Sequence, residues 1–136
     1  ICPAHGEFWQ QAKSHLDGHG CLQCRESTGE RIIADFLDKR GLRFERQKKF
    51  SGCKYVLRLP FDFYLIYAGH QVLIEYDGIQ HFEPVEIWGG QNSFLITKRK
   101  DAIRNNFASI NGFKLIRIPY YEKDPIAFLS LKLQEI

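Results

Sequence analysis

Four residues in the middle of the chain could do chemistry together: Asp62, Glu75, Asp77 and His81. Asp62 interrupts an otherwise apolar run, Phe61-Asp62-Phe63-Tyr64-Leu65-Ile66-Tyr67, with Pro60 just before it. A carboxylate among aromatic side chains is desolvated at a cost unless a cation or a hydrogen-bond donor meets it. A second apolar run ends in Glu75-Tyr76-Asp77-Gly78 and turns directly to Ile79-Gln80-His81-Phe82. Side chains two apart along a strand point the same way, so Glu75 and Asp77 share a face. Carboxylates and an imidazole gathered at a sheet edge are the parts needed to hold a hard divalent cation and to take a proton from a water beside it.

Strands have to carry these residues. Short runs rich in aromatic and β-branched residues, broken by turn residues, predict strands over 42–50, 53–59, 61–67 and 71–76. Ala68-Gly69-His70 predicts a hairpin turn that makes the last two antiparallel neighbours. Upstream, Ser27 followed by Glu30 is a capping box for a helix over 27–40, with Ile32, Ile33, Phe36 and Leu37 on one face and Gly41 as its stop. Downstream, Ile103, Phe107 and Ile110 at helical spacing predict a helix over 94–110, closed by Asn111-Gly112. The alternating run 113–118 predicts a last strand that returns beside 71–76 through this helical crossover. Asp124-Pro125 supplies a cap and a first-turn proline for a short helix through Leu133. The expected class is α/β in the broad sense (α+β), a mixed β-sheet flanked by helices.

A separate pattern opens the chain. Cys2-x2-His5 and Cys21-x2-Cys24 form two tight pairs, each able to close a turn on one ion, as tetrahedral Zn²⁺ coordination requires. His15 and His19 could replace His5 but lack its short spacing to Cys2, and a disulfide or plain buried thiols are the competing readings. Four protein ligands leave no open position for water, so such a zinc is structural, folding a segment too polar to build a core alone. The expected division is a zinc knuckle over 1–26 and a catalytic domain over 27–136. The remaining Cys53 reads as a small apolar residue.

At 136 residues, with 44% hydrophobic, the chain can bury one core and is too short for two ordinary ones. A net charge of +3 favours a nucleic-acid partner only weakly, so local clusters must carry that inference. Lys98, Arg99, Lys100 and Arg104 form one cluster, and Arg43, Arg46, Lys48 and Lys49 another; both can neutralise phosphates, or simply form solvated faces. Between them, the segment Phe82 to Ser93 reads as a loop at the site, with Phe82 and Trp88 available to stack on bases or to join the core. No apolar run approaches the roughly 20 residues that span a bilayer, and no signal peptide pattern opens the chain. The expected location is the cytoplasm. Lacking methionine and starting at Ile1-Cys2-Pro3, the sequence reads as a piece of a longer protein.

The order Pro60-x-Asp62 followed by Glu75-x-Asp77 resembles the core of the PD-(D/E)xK nuclease superfamily, with Asp77 where that motif has lysine. Within the superfamily, Tyr76-Asp77-Gly78-x2-His81-Phe82 is similar to the very-short-patch mismatch repair endonucleases and the related phage homing endonucleases called EDxHD enzymes, which replace the lysine with a histidine a few residues later. The likeness spans about Thr28 to Tyr120 and takes in Glu30, Asp62, His81, Asp101 within Lys98-Arg99-Lys100-Asp101, and Asn111-Gly112-Phe113-x3-Arg117. The knuckle Cys-Pro-x-His-Gly-x-Phe also resembles one found beside phage homing nuclease domains.

The resemblance implies a restriction-endonuclease-like core that hydrolyses phosphodiester bonds of double-stranded DNA with Mg²⁺. In that reading Asp62 is the main metal ligand, helped by the Tyr76 carbonyl and Glu75. His81 is the general base, since an imidazole titrating near pH 6.5 accepts a proton close to neutrality. Glu30, Asp77 and Asp101 complete the catalytic set, Asp101 either orienting His81 or binding a second metal. Plainer roles compete: Glu30 as a capping acid, His81 as a turn residue, Asp101 as an ion-pair partner of Lys98 or Arg104. Two other functions share these residues, a zinc-containing DNA-binding module without catalysis and an RNA nuclease. The inactive module has no reason to keep Asp62, Asp77, His81 and Asp101 together. Whether the chain forms a homo-oligomer is left open by the sequence.

From the two ligand pairs, the purified protein is expected to carry about one zinc per chain. Elemental analysis finding none, or Cys21→Ser leaving zinc content and folding unchanged, would remove that expectation.

Overall fold

The computed structural model describes residues 27–86 and 89–136; the expected zinc ligands Cys2, His5, Cys21 and Cys24, and Trp88 of the expected loop, lie outside them. The described elements are α1 (Thr28–Lys39), β1 (Glu45–Lys54), β2 (Arg58–Tyr67), β3 (His70–Asp77), α2 (Gly90–Ile110), β4 (Lys114–Pro119) and α3 (Pro125–Gln134), with one turn of 3₁₀ helix at Ile79–His81. The strands form one mixed sheet in the order β1-β2-β3-β4. β1, β2 and β3 pair antiparallel, and β4 lies parallel to β3 after the α2 crossover, as the sequence predicts.

Local chemistry sets the ends of these elements. Ser27 Oγ accepts the Glu30 amide at 3.1 Å and starts α1. Leu42 N–H then reaches the Leu37 carbonyl (3.0 Å) and Gly41 N–H that of Asp38 (2.9 Å), with Gly41 at φ +69°, a Schellman stop that only a residue without a Cβ adopts cheaply. Asp124 Oδ1 caps α3 at the Ala127 amide, with Pro125 in the first turn. Ala68 and Gly69 both have positive φ, the two-residue turn whose twist suits a hairpin.

The expected strand limits change in one region. In place of separate strands over 42–50 and 53–59, β1 runs on through Ser51-Gly52, with a register irregularity between Lys49 and Lys54, and the chain reverses at Tyr55-Val56-Leu57. Those three residues carry no turn signature and are good strand formers, so only the pairing of Lys54 with Arg58 makes them a turn. Helix α2 begins at Gly90 rather than Phe94, which shortens the expected loop. Ile110 is exposed, and the helix seats itself through Ile103, Phe107 and Ala108 instead.

Helices cover both faces of the sheet. On one, Ile33 and Leu37 of α1 and Leu129 and Leu133 of α3 pack on Phe63, Leu65, Val72, Ile74, Ile116 and Ile118. On the other, α2 packs on Cys53, Leu59, Phe61 and Leu73, with the rings of Phe50, Phe61, Phe107 and Phe113 in mutual contact. Cys53 is thus the small core residue the sequence suggests, and burial pushes its thiol pKa up. Among the described residues no helix is long and apolar enough to cross a membrane.

One close approach fixes α1 against β3. A Cβ on the buried Gly29 would collide with the Tyr76 ring, so α1 comes this near the sheet only because residue 29 lacks a side chain. Gly29→Ala should therefore cost about 1–3 kcal/mol, as overpacking does, despite the better helix propensity of alanine. A urea midpoint equal to or above the parent's would contradict this.

Candidate active site

Asp62 lies where β2 and β3 part. Their register ends at the pair Phe63 and Ile74, and beyond it side chains take over from the backbone ladder. The Asp62 amide donates to Glu75 Oε1 at 2.9 Å, and the Tyr76 amide donates to Asp62 Oδ2 at 2.8 Å. Each acid occupies a backbone donor of the opposite strand that would otherwise be buried without a partner. On the far side, Gln47 falls between the registered pairs Arg46 with Phe63 and Lys48 with Phe61, has φ +51°, and places Nε2 3.5 Å from Asp62 Oδ1. Strand alternation breaks at this point, which is why Phe61 and Phe63 enter opposite cores.

Glu30 completes an acidic group. It projects from the first turn of α1, its Oε2 3.8 Å from Arg46 Nη2. Burial, and then the charge of Asp62, raise its pKa to about 7. Glu75, only 4% exposed, is raised to about 8 by burial and then by Asp62, against the opposing charges of Arg104 and Arg117. Asp62 is itself raised by burial, although the Tyr76 amide, Arg104 and Gln47 pull the other way. These carboxylates resist ionisation because burial strips them of water, and the positive charge that faces them does not make up for it.

A second group adjoins the first through Asp77, whose charge also bears on Asp62. Asp77 is 5% exposed and accepts from Arg117 Nη1 at 2.8 Å, with His81 Nδ1 at 3.7 Å. His81 is delivered by the 3₁₀ turn, its amide bonded to the Gly78 carbonyl. Its Nδ1 lies 2.8 Å from Asp101 Oδ2 on α2. An ionised carboxylate can only accept, so in this contact a neutral His81 carries its proton on Nδ1 and its lone pair on Nε2. Arg117 also donates Nε to Asn105 Oδ1 (2.8 Å) and Nη2 to the Asp101 carbonyl (3.4 Å), bracing α2 against β4. Asp101 Oδ1 is buried without a hydrogen-bond donor, facing Arg104 Nη1 and Arg117 Nη1 at 3.5 and 3.8 Å. A cleft of about 290 Å³ opens onto this group, lined by Asp77, His81, Phe82, Lys98, Asp101 and Arg117 among others.

The five residues expected to act catalytically, Glu30, Asp62, Asp77, His81 and Asp101, thus form two groups linked by the charge of Asp77 on Asp62, with Glu75 in the first. Among the described residues no three His, Cys, Asp or Glu side chains converge to enclose a metal. The four basic residues expected to bind DNA divide. Lys98 lines the cleft and lies over the Phe82 and Phe94 rings, while Arg99 and Lys100 lie over Tyr55. Arg104 turns inward, donating Nε to the Pro60 carbonyl at 3.1 Å. Sequence reasoning gave no role to Asn105, Gln47 or Gly29, and noted Arg117 only as part of a motif. Arg117 had the same signal as Asp62, a charge within an apolar alternating strand; the other three had none.

The raised carboxylates carry a sign. Glu30 and Glu75 hold protons more tightly in the folded state than at their ordinary value of 4.5, so they favour folding fully below that value. The contribution is lost as pH rises from about 4.5 through about 7 and 8. Without divalent cations, the melting temperature should fall between pH 5 and 8.5, and Glu75→Gln should flatten the fall. A melting temperature that rises over this range, or an identical profile in the variant, would show that these groups do not face one another as described.

Compared with protein-family models, with curated proteins and with solved structures, the chain matches none of them.

Proposed function

We propose that residues 27–136 are a Mg²⁺-dependent DNA endonuclease domain on a restriction-endonuclease-like core, the catalytic part of a phage-type homing endonuclease. The observation that carries this reading is the crossing of Asp62 and Glu75 at the divided end of β2 and β3, beside the bonded His81 and Asp101. Carboxylates whose pKa values are raised by burial and then by a neighbouring acid are costly without a cation to face.

The residues fit Mg²⁺. That ion keeps several waters and takes one or two carboxylates plus substrate phosphate oxygens rather than a full protein cage, so the lack of an enclosing trio among the described residues is compatible with it. Asp62 would hold the ion. The N–H and C=O of one residue leave an extended strand on the same side, so the Tyr76 carbonyl faces Asp62 as its amide does. Glu75, bonded to the Asp62 amide, would hold that carboxylate's strand in place. Bound Mg²⁺ would supply positive charge and Lewis acidity to a phosphodiester. His81 Nε2 would take the proton of the attacking water, Asp101 stabilising the resulting imidazolium. Asp77 reads best as the anchor of Arg117 rather than as a base, since Arg117 already occupies its Oδ1. Lys98, at the cleft mouth, is placed to meet the phosphate backbone.

An inactive DNA-binding module would have no use for a histidine whose tautomer is set by a buried acid, and an RNA substrate would use the same groups. Asp62→Asn keeps an acceptor for the Tyr76 amide yet should abolish cleavage of plasmid DNA and weaken divalent-ion binding. His81→Ala should leave DNA and metal binding in place and slow cleavage by roughly 10² to 10⁴-fold, the usual worth of general-base catalysis. Parent protein that cuts no DNA in Mg²⁺, or His81→Ala cutting at the parental rate, would overturn the respective assignment. Preference for an RNA duplex or hairpin would move the proposal to the RNA nuclease reading.

A further inference from the structure

The β1–β2 turn carries the two most exposed large hydrophobic side chains among the described residues. Val56 and Leu57, consecutive at its tip, are 78% and 79% exposed, and the Tyr55 amide closes the turn on the Leu57 carbonyl at 3.2 Å. Cations surround this apolar tip. Lys54 and Arg58 are the registered pair at its base, and Arg99 and Lys100 lie 5.6 and 5.8 Å from the Tyr55 ring. Between the turn and α2 runs a groove of about 480 Å³, lined by Val56, Leu57, Arg58, Ile96, Lys100 and Arg104 among others, with no acidic residue in its lining among the described residues. Its inner end meets the active site, because Arg104 bonds the Pro60 carbonyl and pairs with Asp101.

We infer that this turn is a wedge that enters the minor groove of duplex DNA beside the cleaved strand, a role resting on the DNA nuclease reading. An apolar pair ringed by cations and free of acids complements a polyanion that offers apolar surface at its centre. The tip side chains carry no hydrogen-bonding group, so they cannot read the donor and acceptor code of the major groove, whereas minor-groove proteins insert aliphatic wedges between base steps. From Leu57 to Asp62 the strand advances about five residues, about 17 Å at about 3.4 Å each. At about 3.4 Å per nucleotide along one strand, that span puts the wedge no more than about five base pairs from the bond that is cut. Lys54, Arg58, Arg99 and Lys100 flank it on phosphates.

The test is binding in Ca²⁺ to duplexes carrying 2-aminopurine at successive positions. Parent protein should raise the fluorescence at one step, within about five base pairs of the mapped cleavage position. The double variant Val56→Ser, Leu57→Ser changes only exposed side chains. It should abolish that rise and weaken duplex binding about tenfold or more, the worth of burying one aliphatic side chain. Its hydrolysis of bis(p-nitrophenyl) phosphate in Mg²⁺ should equal the parent's. Unchanged affinity and fluorescence would overturn the wedge, as would sedimentation showing that the variant turns a parental dimer into monomer, since the tip would then be a contact between copies. If the parent hydrolyses neither DNA nor the small diester, the nuclease reading falls, and the binding measurements still decide the wedge.

Discussion

Asp62 and Glu75 hold the ends of β2 and β3 by bonding to each other's strands, and the rest of the site is arranged around that exchange. Where the backbone ladder stops at Phe63 and Ile74, two amides would be left buried; the acids satisfy them and in doing so are fixed in place. The cost is electrostatic. Carboxylates held in a core with Glu30 nearby resist ionisation, and the fold offsets this only in part with Arg104 and Arg117. Such a site gains from a divalent cation more than a solvated acidic cluster would.

The same break in the sheet explains how one strand serves two cores. With Gln47 at positive φ and Asp62 out of the ladder, Phe61 turns to α2 while Phe63 turns to α1 and α3. The helices on each side then become part of the site. α1 is drawn in until Tyr76 fills the space over Gly29, which brings Glu30 towards Asp62. α2 is anchored by Phe107 on the Phe50 and Phe113 rings, and that anchor sets the position of Asp101 against His81. A packing change some distance from the acids would therefore act on both groups.

Arg117 gives the second group its order. One guanidinium reaches Asp77, Asn105 and the Asp101 carbonyl, joining β3, α2 and β4 at the point where the cleft opens. Asp77 is engaged in this way, and His81 is held through Nδ1 by Asp101. In the proposed mechanism the three aspartates therefore serve different partners. Asp62 meets the cation, Asp101 holds the histidine and Asp77 holds the arginine.

Most of the elements, and the acids and histidine of the site, could be read from the chain alone. Ser27, Gly41, Asp124-Pro125 and the Ala68-Gly69 turn act through local hydrogen bonds and backbone angles, which neighbouring residues settle, so α1, α3 and the β2–β3 hairpin were legible. Asp62, Glu75 and His81 stood out because a charge in an apolar strand, or a histidine just after one, is costly or unusual wherever the chain goes. The remainder depended on contacts between distant segments. That Tyr55-Val56-Leu57 is a turn follows from the pairing of Lys54 with Arg58 across it, not from any propensity of those residues. That Arg104 faces inward while Lys98 lines the cleft depends on how α2 is rotated on the sheet, which its ring contacts fix. The proton position on His81 and the engagement of Asp77 depend on residues 20 and 40 positions away, brought close by the crossover, and no local pattern encodes them.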